Sequence, residues 1–164
     1  MRRGAGFAGA FGGLRSIGVA RRPLGTAAPP VRGVGAFQPP RPTTGAPAIA
    51  CKANAKAIRA LVPEATAREL LPDRLPRHTP HTHTTRKALL AELEEVRRTS
   101  IAFDREEHTE GISAVGFAVR HGPATIAAIT VPMPTARFDD REAEIVAAVL
   151  AAREEALAAI SASA

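Results

Sequence analysis

The densest group of ionisable side chains in this 164-residue chain is Asp104, Glu106, Glu107, His108 and Glu110, gathered in Phe103–Gly111 (FDREEHTEG). Two carboxylates with separated pKa values could act as general acid and base, and an adjacent imidazole could shuttle protons. By charge alone the segment reads as a solvated acidic turn between two strands. Its place directly ahead of a strand lets one carboxylate point inward over a sheet. His78, His81 and His83 form a second group within six residues. A metal site holds imidazoles in fixed geometry with a fourth ligand. Spacings of three and two in a Pro-containing loop do not put them on one face, so a polar surface loop is the favoured reading and no metal is expected. The chain has no nucleophile elbow, no glycine-rich phosphate loop and no paired-His zinc helix. Ser100, Ser113 and Cys51 lack the context that marks a nucleophile. The expectation is a protein that is not an enzyme and needs no cofactor.

The elements that must position these residues fall in one part of the chain. The first 63 residues carry ten basic side chains and no acidic one, and the remainder carries twelve basic and sixteen acidic. The overall charge of +6 therefore belongs to the N-terminal part. Residues 1–45 are rich in Gly, Ala, Pro and Arg, and such a segment cannot bury enough apolar surface to order itself. Disorder is expected there. Arginines without a fold can still neutralise phosphates, so a sequence-blind nucleic-acid arm is the alternative function, and an organellar transit peptide is a third reading. One domain is expected over residues 46–164. Within it, Ala48–Leu61 and Glu64–Leu71 read as helices, and Leu75–Thr85 as an ordered loop. Thr84 or Thr85 caps a helix over Arg86–Arg98 that buries Leu89, Leu90, Leu93 and Val96 and turns Glu92, Glu94 and Glu95 to water. Thr99–Phe103 leads into a short strand. Ile112–Val119 and Thr125–Val131 are strands joined by a hairpin built on Gly122. Asp139 or Asp140 caps a last helix reaching Ile160, with Ile145, Val146, Val149, Leu150 and Leu157 on its apolar side. This order gives an α+β fold with an antiparallel sheet and flanking helices. The single cysteine excludes an internal disulfide, and no apolar run approaches the roughly 20 residues of a membrane span. A cytoplasmic protein with no membrane partner is expected.

Three phrases in succession, Leu75–Thr82 (LPRHTPHT), Leu89–Arg98 (LLAELEEVRR) and Phe103–Val119, together with Ala127–Pro134 (AAITVPMP) and Arg137–Ile160, resemble the C-terminal effector-binding domain of IclR-type bacterial transcription regulators. The resemblance covers about Ala48 to Ile160 and is specific from Leu75 onward. It implies a GAF-like or profilin-like domain that binds a small organic acid or related metabolite, in a homo-oligomeric regulator. Carried over residue by residue, it implies effector contacts by Asp104 at the pocket rim, Thr130 as a strand hydroxyl, and Ala53 and Asn54 through backbone amides at the start of a helix, a natural anion site. Glu106 and Glu107 are then structural or solvated.

Departures from the family pattern are specific. Ala114 stands where the family often has Cys, Pro132 where a second hydroxyl is common, Ala50 where His is usual, and Ala55 where Gly precedes Lys56. Ala114 is still a pocket position, but it and Pro132 remove polar partners, which implies a more apolar ligand or a pocket that no longer works. No helix-turn-helix pattern precedes Ala46, so the sensing domain is expected to be incomplete, part of a truncated or frame-shifted regulator, with DNA as a partner only if a helix-turn-helix is supplied elsewhere.

Overall fold

Strands leave backbone donors and acceptors that a neighbouring strand must satisfy, and four strands of the chain join in one sheet. The computed structural model describes residues 16–21, 50–121 and 125–162. Its elements are β1 (Ser16–Arg21), α1 (Ala53–Ala60), α2 (Glu64–Glu69), α3 (Arg86–Thr99), β2 (Ala102–Arg105), β3 (Ile112–His121), β4 (Thr125–Pro134), α4 (Thr135–Asp139) and α5 (Glu142–Ser161). The sheet runs β1-β4-β3-β2, every pair antiparallel. The expected α+β class with an antiparallel sheet and flanking helices is what forms.

The two faces of the sheet follow from the period of two along each strand. On β3, Val115, Phe117 and Val119 point to one side and pack with Ile101, Val131, Met133, Phe138, Ile145 and Val149 against α4 and α5. Ala114 and Ala118 point to the other side, with Ala102 of β2 and Ala128 of β4, and meet Ala53, Ala57 and Ala60 of α1. Small residues here let α1 lie close to the sheet. Gly116 sits in the same row, where a Cβ would collide with the Ile129 carbonyl and the Thr130 side chain. A third cluster joins Ala67, Leu71 and Leu75 to Leu89, Leu90 and Leu93 of α3.

Several element ends differ from the sequence reading, each for a local reason. The first helix starts at Ala53 rather than Ala48. Thr85 does cap α3, its Oγ accepting from the Ala88 amide at 3.2 Å, and Ser100 ends that helix in a left-handed conformation. β4 continues through Pro132 and Pro134, which the sequence reading leaves outside it. Proline lacks the strand donor. Among the described residues β1 pairs β4 as far as Thr130, so both prolines pair with β3 but stand beyond the β1 ladder. Asp139 and Asp140 do not cap the last helix. A separate five-residue helix, α4, starts after Pro134 and is anchored by Phe138, which is completely buried. Asp140 ends it, and Arg141 occupies the N-cap of α5. Leu150, expected on the apolar side, is exposed, because Ile145 and Val149 set the buried stripe one residue away. The Arg120–Pro123 hairpin is bounded by the His121–Thr125 pairing, and its residues 122–124 lie outside the described residues. Ser16–Arg21 belongs to the segment expected to be disordered, yet it forms β1 along β4. Its six residues gain the hydrogen-bond partners that an isolated Gly/Arg-rich segment lacks. The remaining residues up to 49, which carry most of the arginines of the nucleic-acid reading, lie outside the described residues.

Candidate functional site

The face of the sheet under α1 gathers the residues that the family resemblance singles out. Asp104 on β2 lies directly across from Ala114 on β3, and Ala114 lies directly across from Pro132 on β4. Thr130 follows two residues earlier on β4, opposite Gly116, so it shares their face. Ala53 is the first residue of α1 and packs in the same cluster as Ala114, and Asn54, half-buried, comes next. The structure thus brings Asp104, Ala114, Thr130, Ala53 and Asn54 to one side of the sheet. Lys52 is the N-cap of α1, no side chain caps that end, and no acidic residue lies in its first turn. The open amide end and the Lys52 ammonium make this end of the helix positive.

Asp104 also has a local duty. Its Oδ1 accepts from the backbone amides of Glu107 (2.9 Å) and His108 (3.3 Å), which folds the acidic segment back as a tight turn. Burial pushes the Asp104 carboxyl above its ordinary range, while these two amides and the charges of Lys56 and Lys52 oppose that rise. Cys51, just before the helix, is pushed up to about 11 by burial and by the Asp104 charge, so its thiol is no nucleophile at neutral pH. Within the turn Glu106 adopts a left-handed backbone, and its Oε2 accepts from the Gly111 amide at 2.7 Å.

A second group was not singled out by sequence reasoning. Lys56 is fully buried, and its ammonium donates to Glu107 Oε1, to Glu92 Oε1 at 2.7 Å and to the Phe103 carbonyl at 2.9 Å. Glu107 is 5 % exposed, so of the two readings left for it the buried structural one holds. Glu92 does not face water as expected. It pairs with Lys56 on one oxygen, and His83 Nε2 stands 2.9 Å from the other. Burial alone would push the Glu92 carboxyl up, but His83 and Lys56 together hold it below the ordinary range. Burial raises the Glu107 carboxyl, with Lys56 opposing, and the Glu92 contact raises the His83 imidazole. A signal for this group was present in the sequence. Ala53, Lys56, Ala57 and Ala60 recur at helical spacing, which places the lysine in the buried stripe of α1.

The His/Thr loop serves this group. Thr79 Oγ donates to the Glu106 carbonyl at 2.6 Å, and Thr82 Oγ donates to the Glu107 carbonyl at 2.5 Å. Thr82 Oγ in turn accepts from the amides of His78 and Thr79, at 3.1 and 2.9 Å. The loop therefore clamps the acidic turn against α1. Of its three histidines, His83 joins the charged group, while His78 and His81 are exposed. A cavity of about 340 Å³ opens beside β2, lined among others by His83, Glu92, Phe103 and Glu107.

Comparison with known proteins gives these features a family. Residues 46–160 match the family described as Bacterial transcriptional regulator IclR C-terminal. The chain is 46 % identical over 101 residues to the HTH-type transcriptional regulator Rv1719 of Mycobacterium tuberculosis, a match covering 62 % of this chain and 39 % of that protein. Among solved structures, the C-terminal domain of the Escherichia coli transcriptional regulator KdgR aligns at 29 % identity with a TM-score of 0.58, covering 70 % of this chain and 69 % of that one. The Thermotoga maritima IclR aligns at 31 % identity and a TM-score of 0.57, covering 65 % and 44 %. The chain spans about two fifths of the length of the curated regulator it matches. No helix among the described residues is long and apolar enough to cross a membrane. With the Ala-lined sheet face, the open amino end of α1 and the clamped acidic turn in place, the chain belongs to the IclR family through its C-terminal, effector-binding domain.

Proposed function

We propose that this domain senses a small organic anion seated between the amino end of α1 and the sheet face carrying Asp104, Ala114 and Thr130. The observation that carries the reading is the convergence of these residues with Ala53 and Asn54 on one face, at a helix end with no acidic residue and no side-chain cap. Backbone amides there would take the carboxylate. Ala114 and Pro132, side by side on adjacent strands, would take an apolar body. Thr130 would add one hydroxyl. Asp104, with one oxygen already committed to its own turn, would read a donor group on the ligand rather than its carboxylate.

This reading assigns no catalytic step and no cofactor, in keeping with relatives that are named as regulators. Contact with DNA is left to a helix-turn-helix module, which the described residues do not form, and the regulator would act as a homo-oligomer in the cytoplasm. The arginine-rich segment of the nucleic-acid reading lies largely outside the described residues and has no part in this proposal.

Thermal unfolding in the presence of a panel of small aliphatic and aromatic carboxylates tests the proposal. A ligand that binds only the folded state at a hundred times its Kd stabilises by about 2.7 kcal/mol, which is a readable rise in Tm. Thr130→Val should weaken that rise without lowering the Tm of the free protein by a comparable amount. A folded sample that no member of the panel stabilises would overturn the reading.

A further inference from the structure

The charged group around Lys56 offers more ligand atoms than the lysine uses. One donor atom from each of His83, Glu92 and Glu107 lies within 4.8 Å of the other two. Lys56 occupies Oε1 of both glutamates. Glu107 Oε2 is buried and has no hydrogen-bond partner among the described residues, and the neighbour of Glu92 Oε2 is His83 Nε2 at 2.9 Å. An orphaned carboxylate oxygen in a protein interior is costly, and a bound cation is one of the few groups that removes the cost. The charge balance allows one. Two carboxylates against one ammonium leave a single negative charge once the imidazole has given up its proton, as a metal ligand must.

We propose that His83, Glu92 and Glu107 form a binding site for a divalent cation of the zinc class. One imidazole nitrogen and two carboxylate oxygens are donors of the type that ion takes, at about 2.0–2.2 Å. Tetrahedral ligands at that distance sit about 3.4 Å apart, so the His83–Glu92 pair, now at 2.9 Å, need open only by roughly half an ångström and Glu107 need approach by at most about 1.4 Å. Lys56 fixes the far oxygen of each glutamate and thereby orients the near one, the part that outer partners play at metal sites. His83 lies on the loop that Thr79 and Thr82 hold against the acidic turn, so all three donors come from segments already tied together. The same three residues line the cavity of about 340 Å³, which leaves the fourth position open to water or to a small anion. This site is separate from the sheet face proposed for the effector and does not depend on it.

The test uses the full chain, stripped with a chelator and titrated with Co²⁺ and then Zn²⁺ at pH 7.5. One equivalent of Co²⁺ should produce visible d–d absorption of a four- or five-coordinate site, and Zn²⁺ should abolish it. His83 is part-exposed, so His83→Ala should stay folded by circular dichroism and lose at least tenfold in affinity. His81→Ala, altering an exposed histidine of the same cavity wall, should bind as the parent does. Absence of the cobalt band in the parent would overturn the proposal. So would an unchanged affinity in His83→Ala, or a loss confined to His81→Ala.

Discussion

Lys56 shows how much a single side chain can organise. Its ammonium, buried in the small-residue stripe of α1, joins the helix to α3 through Glu92 and to the acidic turn through Glu107 and the Phe103 carbonyl. Removing one member of such a pair leaves the other charged and dry, which costs about 3–5 kcal/mol. Lys56→Met should lower unfolding stability by that order in urea titrations. Adding Glu107→Leu should restore a large part of the loss, and a double variant as unstable as the sum of the singles would show that the pair is not coupled. The same group sets a pH dependence. The folded-state pKa of His83 is raised, so its contribution is fully present below its ordinary value of about 6.5 and is lost as pH rises through the raised value. Glu107, also raised, acts in the same direction around the carboxylate range, whereas Glu92 is lowered and its contribution is lost as pH falls through its folded value. His83→Ala should therefore be closest to the parent in stability at pH 8 and fall further behind towards pH 6, measured by denaturant midpoints across that range. A constant difference would remove His83 from the titration.

At the scale of elements, the approach of α1 to the sheet depends on what the strands omit. Ala114, Gly116 and Ala118 alternate on one side of β3, and Gly116 leaves room only for the Ile129 carbonyl and Thr130. Gly116→Val would force the two strands or the helix apart, at a cost of about 1–3 kcal/mol for overpacking, and should also displace Thr130 and blunt any ligand-induced rise in Tm. A Gly116→Val variant as stable as the parent would mean that the Thr130 side of the row can yield freely. The caps are less costly but equally specific. Thr85→Ala removes the acceptor of the Ala88 amide and should cost about 1 kcal/mol in the same assay. The α3 helix was legible in the sequence because its leucines repeat at helical spacing and its cap is a threonine. The β4 end and the α4–α5 break were not. Prolines usually end a strand, but among the described residues β1 stops at Thr130, so Pro132 and Pro134 pair with β3 alone and their missing donors fall outside the β1 ladder.

At the scale of the whole molecule, two faces of one sheet are used differently. The side facing α4 and α5 is packed with Phe117, Phe138, Val115, Val131 and Val149 and supplies the larger apolar burial. Arg105 joins that side at the edge, stacked on Phe103 with its guanidinium 4.4 Å from the ring centroid and paired with Glu142 at the start of α5 at 2.6 and 3.0 Å. The side facing α1 has small side chains and the polar residues of the proposed effector site. Along the margin of the sheet, β1 covers Thr125–Thr130 of β4. An uncovered strand edge is a template for pairing between chains. Deleting residues 16–21 should therefore raise self-association, read by light scattering at increasing concentration. Unchanged scattering would mean that this ladder does not protect the edge.

Residue types and their spacing were sufficient for the α+β order, for the buried face of α3, and for the family, because periodicity and short motifs are local properties that survive without coordinates. The resemblance to the family, carried over residue by residue, is what named Asp104, Ala114, Thr130, Ala53 and Asn54 as a set. That Asp104, Ala114 and Thr130 share one face was decided by the strand register, since a shift of one residue would send Asp104 and Thr130 to opposite sides of the sheet, and the packing of α1 on that face brings Ala53 and Asn54 to it. The Lys56–Glu92–Glu107–His83 group was settled only by the fold. Its two glutamates lie 36 and 51 residues from the lysine along the chain, and whether a glutamate faces water or a buried ammonium is determined by what packs over it.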